Sequence, residues 1–174
     1  TGDFNVQSAA ARSPFPDIAG TWYVDAASSA YTLGWMTGMR AVRDGQLLFM
    51  GTAIMNRTEF AVLATNILGL SNCDERALND VSGDRDQIAD WGRPAVACML
   101  QHNIMIKYGD RFQPGHTVSV YDFAAGLFNM VRYANDNGVD VIEIAAQRFG
   151  VERSVVVRAL AEGLNIVDGE LVQP

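Results

Sequence analysis

Two histidines, two cysteines and an unusual set of arginines are the side chains of this 174-residue chain from which chemistry would have to come. His102 falls near the end of an expected helix and His116 in a loop, and neither has a serine or cysteine nucleophile beside it. Thr1 would be a nucleophile after processing, but the residues around it lack the strand pattern that would seat it. Cys73 and Cys98 are too few and too badly spaced for a zinc site or a Cys-x-x-Cys redox pair, which leaves a single disulfide as their alternative. The expectation is a noncatalytic protein, with no cofactor and no metal.

Twelve of the 13 basic residues are arginines, with Lys107 the exception. Guanidinium forks suit carboxylates and anionic sugars, although a codon bias across a genome would produce the same skew. Against them stand 20 acidic residues, and the net charge of -7 repels phosphate backbones, so nucleic acid is not an expected partner. With 49% hydrophobic and 19% charged residues, the chain suits one compact domain or a few small repeats. Its apolar runs are only a few residues long, far short of the ~20 that cross a bilayer, so no membrane span is expected. The opening Thr1-Gly2-Asp3-Phe4 has neither the basic nor the apolar region of a signal peptide.

The elements that must carry these side chains are arranged as repeats. Pro16-Asp17-Ile18 is echoed by Asn79-Asp80-Val81, and the same offset carries Phe49 to Phe112, Glu59 to Asp122 and Phe60 to Phe123. Trp22 answers to Trp91 and Gly34 to Asn103 at a slightly longer spacing, as if a short insertion followed the aspartate. A third copy lays Val155 to Leu160 on Ala95 to Leu100 and Leu164-Asn165-Ile166 on Ile104-Met105-Ile106. The reading is an arm at 1–13, repeats at 14–70 and 78–133, and half a repeat at 140–174.

Each full repeat reads as helix, irregular loop, helix. Ala26, Ala27, Ala30, Tyr31 and Leu33 stand near helical spacing over residues 24–33, and Gly34, Asn103 and Gly163 are residue types that enter the left-handed region cheaply. The second helix opens at Asn56-Arg57-Thr58-Glu59, with Asn56 as cap and Glu59 as its capping-box partner, and Gly69 ends it. Ser119-Val120-Tyr121-Asp122 repeats the cap. Apolar stripes follow: Phe60, Leu63, Ala64, Ile67 and Leu68 in one helix, Phe123, Leu127, Met130 and Val131 in the other. Asp44-Gly45 and Gly109-Asp110 read as turns, with Phe49 and Phe112 as inward loop anchors. Tryptophans dominate small helical cores, so Trp22 and Trp91 read as core more readily than as platforms.

Taken together, Phe15-Pro16-Asp17-Ile18, Trp22, Gly34-Trp35-Met36-Thr37-Gly38 and Ile54-Met55-Asn56-Arg57-Thr58-Glu59-Phe60-Ala61 resemble the S-layer homology repeat. The resemblance implies an all-α, pseudo-threefold module of tandem helix-loop-helix repeats. It also implies noncatalytic attachment to cell-wall polysaccharide, often an anionic pyruvylated one, in an extracellular or cell-envelope setting. Carried over by position, it implies a ligand-binding set of Asp17, Trp22, Arg57, Glu59 and Trp91. An arginine beside a helix N-terminus presents a guanidinium and free backbone donors together, which fits a sugar carboxylate. In the second repeat Val120 stands where Arg57 stands in the first, so the cation is missing there.

Two other readings compete. The half-repeat leaves Val156, Leu160 and Leu164 in need of a cover, which a neighbouring chain would supply if the protein were a subunit of a surface layer, filament or larger envelope complex. Residues 144–160 resemble a helix-turn-helix that displays Arg153 and Arg158, a minor alternative because residues 141–174 carry more acids than arginines. Asn135-Asp136-Asn137-Gly138 resembles a calcium loop but lacks the glutamate that such a loop needs, and reads as a turn.

Overall fold

The structure, a computed structural model, describes residues 13–40 and 47–172. The chain is mostly helical. In chain order the described residues form α1 (Val24–Thr32), β1 (Met39–Arg40), β2 (Leu47–Leu48), α2 (Arg57–Leu68), α3 (Arg93–Gln101), α4 (Val120–Asn137), α5 (Val141–Phe149), α6 (Arg153–Glu162), β3 (Asn165–Val167) and β4 (Glu170–Val172). Short 3-10 turns at Pro16–Ile18, Glu75–Val81, Arg85–Gln87 and Asp90–Gly92 link them. Most of the expected arm and the Asp44-Gly45 turn lie outside the described residues.

Contacts divide the chain into two compact units, one of Thr1–Ala53 with Val141–Pro174 and one of Ile54–Asp140. In the first unit, Phe15, Ile18, Val24 and Ala27 form a buried cluster with Tyr23, Tyr31, Leu47 and Phe49 against it. A second cluster joins Leu33 to Ala145, Ala146, Val156, Ala159, Leu164 and Ile166. The cover that Val156 and Leu164 require therefore comes from their own chain: both are buried and Leu160 is half-buried against the same cluster. Arg148 fixes this packing by donating Nη1 to the carbonyls of Leu33 and Gly34 at the end of α1. Its burial lowers its pKa below the ordinary arginine value. β1 and β2 pair antiparallel with Met39 opposite Leu48, and β3 and β4 do so with Ile166 opposite Leu171.

The second unit is built around α3, whose residues from Ala95 to Leu100 are all buried. Phe60, Ala61, Ala64 and Leu68 of α2 pack on it with Leu78, Val81, Ile104 and Phe112, and the Cys73–Cys98 disulfide ties the α2–α3 connection to the core. α2 starts with the expected capping box: Asn56 Oδ1 accepts the Glu59 amide at 2.9 Å and Glu59 Oε2 accepts the Asn56 amide at 2.8 Å. α4 starts with the same device in Ser119 and Asp122. The expected left-handed positions hold, with φ of 69° at Gly34, 52° at Asn103 and 64° at Gly163.

The apolar stripe expected to bury α4 is mostly exposed. Of its four members only Met130 is buried, whereas Phe123, Leu127 and Val131 are exposed together with Val120, Tyr121 and Phe128. The inward face is carried instead by Asp122, Gly126 and Met130. Gly126 lets α4 approach the Phe60 ring, since a Cβ there would sit 2.6 Å from Phe60 Cε1. Asn135–Asn137 are simply the last residues of α4, ended by Gly138 at φ 62°. α5 and α6 do form a helix pair around Gly150, and Arg158 on the second helix is paired with Glu162 at 2.9 Å.

Candidate functional site

The start of α2 is crossed by the segment 114–118, and this crossing decides what Arg57 does. The Arg57 amide donates to the His116 carbonyl at 2.9 Å and the Thr58 amide to the Pro114 carbonyl at 3.2 Å, while Val118 donates back to Met55 at 3.1 Å. Thr58 Oγ1 adds a second bond to Pro114 at 3.1 Å. With the Glu59 amide held by Asn56, the first amides of α2 all have protein acceptors.

The Arg57 side chain is turned inward and is 1% exposed. Nε donates to the Phe112 carbonyl at 2.7 Å, Nη2 to the Ile106 carbonyl at 2.5 Å, and Nη1 to Asp122 Oδ1. Its guanidinium carbon lies 5.1 Å from the centroid of the Tyr108 ring and 4.8 Å from that of Phe112. Asp122 is buried as well, and it also accepts from Tyr108 Oη at 2.8 Å and Ser119 Oγ at 2.7 Å. Burial pushes the Asp122 carboxyl upward, but the bonds from Ser119 and Tyr108 and the Arg57 charge outweigh it and hold the group below its ordinary value. Burial, followed by the bond to Asp122, raises the Tyr108 phenol.

Arg57 therefore presents neither a guanidinium nor free helix amides to solvent, and the anion site expected at this position is closed. Its charge is spent on joining α2, the 106–112 loop and the cap of α4. Glu59 is likewise occupied as a cap.

The same arrangement predicts an acid response. Because the folded-state pKa of Asp122 is depressed, the unfolded chain binds more protons as pH falls through the carboxylate range. The stability contributed by Asp122 is complete above the unfolded carboxylate pKa, about 3.9, and is lost as pH falls through the lower folded value. Urea unfolding at stepped pH should show a loss below about pH 4 that is smaller in Asp122→Asn.

Asp17 lies in the other unit. It is exposed, and its two oxygens accept the amides of Phe49 at 2.9 Å and Met50 at 2.8 Å, so that it clamps the loop. The matching clamp in the second unit is made by Asp84, not by Asp80: Asp84 accepts the amides of Phe112 and Gln113, both at 2.8 Å. Met50 and Gln113 each follow a clamped phenylalanine and each has positive φ, 55° and 60°. Asp80 is exposed and faces Lys107 at 3.5 Å. Sequence reasoning missed Asp84 because Asp80 sits in the better local match, and it missed Tyr108 because nothing near Tyr108 in sequence marks it.

Trp22 and Trp91 both depart from the core expectation. Trp22 is 93% exposed, with its ring edge-on to Tyr23 at 5.4 Å, and Trp91 is 61% exposed. The structure thus leaves the aromatic members of the expected set at the surface, buries Arg57, and engages Asp17 and Glu59 with backbone amides. Among the described residues, no group of three or more His, Cys, Asp or Glu could hold a metal ion, and no helix is long and apolar enough to cross a membrane. Among family models, curated proteins and solved structures, nothing matches this chain.

Proposed function

We propose that the chain is a noncatalytic cell-envelope module of S-layer-homology-like tandem repeats that attaches to wall polysaccharide. The observation that carries this reading is the exposure of Trp22 and Trp91, at positions matched between the two expected full repeats. A large aromatic ring left in water is a ready platform for the apolar face of a sugar. The repeat reading itself is supported by devices that occur twice: the aspartate clamp on a phenylalanine loop, and the capping-box helix that follows it. The Cys73–Cys98 bridge supports an oxidising, extracellular setting.

With Arg57 internal, attachment rests on ring stacking and hydrogen bonding rather than on a guanidinium gripping a pyruvyl group. Co-sedimentation with purified cell walls should retain the wild-type chain, and Trp22→Ala with Trp91→Ala should weaken retention about tenfold, a loss of roughly 1.4 kcal/mol. Both rings are exposed, so the melting temperature of the double variant should stay at the wild-type value. Failure of the wild type to bind walls, or equal binding by the double variant, would reject the reading.

A second reading, a structural subunit of an envelope assembly, is favoured by the outer face of α4. Val120, Tyr121, Leu127, Phe128 and Val131 form an apolar surface of the kind that marks protein contacts. Sedimentation that finds only monomer at high concentration would count against it.

A further inference from the structure

The first unit contains a groove that the aromatic-platform reading does not use. It lies between α1 and the end of α6, has a volume of about 340 Å³, and is lined by Asp25, Ser28, Ser29 and Thr32 on one side and by the apolar Ala159, Leu160 and Ala161 with Gly163 on the other. That size lies at the lower end of the range for small-molecule sites.

Two of its three hydroxyls have their protons engaged. Ser28 Oγ donates its proton to the Val24 carbonyl at 2.7 Å and Thr32 Oγ1 donates to the Leu164 carbonyl at 3.4 Å, so what these hydroxyls can still offer is lone pairs. Asp25 offers a carboxylate. The last turn of α6 ends at Gly163 in the left-handed conformation, and a helix C-terminus carries the carbonyls and the partial negative charge of the helix dipole. Among the described residues, no arginine or lysine lines the groove. The Asp25 carboxylate and these lone pairs disfavour an anionic sugar and fit a group that donates. An ammonium does so, with three donors and a positive charge.

Trp22 stands in the turn that leads into α1, three residues ahead of Asp25, with its ring in solvent. An acceptor-lined groove with an aromatic face at the start of the same helix suits a sugar ring that bears an amine.

We propose that the groove between α1 and α6 binds a free amino sugar, with the sugar ammonium at Asp25 and the groove hydroxyls. This deepens the wall-attachment reading and rests on it. The ligand class is then cationic, opposite in sign to the pyruvylated glycan implied by the sequence resemblance.

Titration calorimetry on the full chain with a fully deacetylated glucosamine tetramer, its N-acetylated counterpart and tetralysine tests the assignment. The deacetylated tetramer should bind at least about tenfold more tightly than the acetylated one, because acetylation removes the charge and two of the donors. Asp25→Asn should erase that preference, and Ser29→Phe, placed at an exposed position of the groove, should block binding; both should keep the wild-type melting temperature within a few degrees. Equal binding of the two tetramers, an Asp25→Asn variant that binds as the wild type does, or tetralysine binding as tightly as the sugar would each overturn the proposal. Whole walls separate the two levels. Walls that retain wild type and Asp25→Asn equally would reject the groove while leaving attachment standing, and walls that retain neither would reject both.

Discussion

Replacing Arg57 with methionine should destabilise the Ile54–Asp140 unit by about 3–5 kcal/mol, the usual cost of removing one partner from a buried ion pair. Methionine fills much of the same space, so the cost is electrostatic. Asp122 is left as a buried carboxylate without its cation, and the carbonyls of Phe112 and Ile106 lose their donors. Arg57→Lys should fall between the two, because an ammonium keeps the charge but cannot span three divergent acceptors as the planar fork does. Arg57→Met with Asp122→Leu should recover part of the loss by removing the stranded charge, though the two carbonyls and the cap of α4 remain unserved. Urea unfolding measures all three, and a single-variant cost below about 1 kcal/mol, the range of exposed pairs, would contradict the assignment.

The disulfide carries the second large effect. Cys73 and Cys98 are separated by 25 residues, and closing a loop of that size restricts the unfolded chain by about 3.5 kcal/mol in the chain-entropy account. Cys98 is packed among the buried residues of α3, so Cys73→Ala with Cys98→Ala adds a small packing loss. The double variant should lose about 3 kcal/mol or more, measured by urea unfolding. A reductant should lower the wild-type midpoint towards that of the variant and leave the variant unchanged. A midpoint indifferent to reductant in the wild type would remove the bridge from the account.

Local signals were legible in the sequence and long-range ones were not. Asn56 with Glu59, and Ser119 with Asp122, announce helix starts because a cap and its partner lie three residues apart. Gly34, Asn103 and Gly163 announce helix ends because only certain residues accept positive φ cheaply. Arg57 was misread for the opposite reason. Its acceptors at 106, 112 and 122 are far away in sequence, and Asp122 was already accounted for as a cap. The mutual arrangement of helices was hidden in the same way: α2 packs on α3 within one unit, although the motifs place α2 in the first expected repeat and α3 in the second.

Helix α4 shows a different limit. Phe123, Leu127 and Val131 have helical spacing, but so do Asp122, Gly126 and Met130, and periodicity cannot say which of two adjoining faces is inward. A glycine and a paired aspartate won because they let the helix approach Phe60 closely and engage Arg57. Trp22 and Trp91 were misassigned by the general preference of large aromatics for cores, which is a tendency of populations and does not fix any one ring.

The Arg57 charge belongs to the fold and not to a ligand. Nuclear magnetic resonance of the arginine Nε–H group tests it most directly, on the whole chain with and without solubilised wall polysaccharide. The Arg57 signal should be protected from exchange with water and unmoved by the glycan. Rapid exchange, together with a shift of that signal when glycan is added, would contradict it.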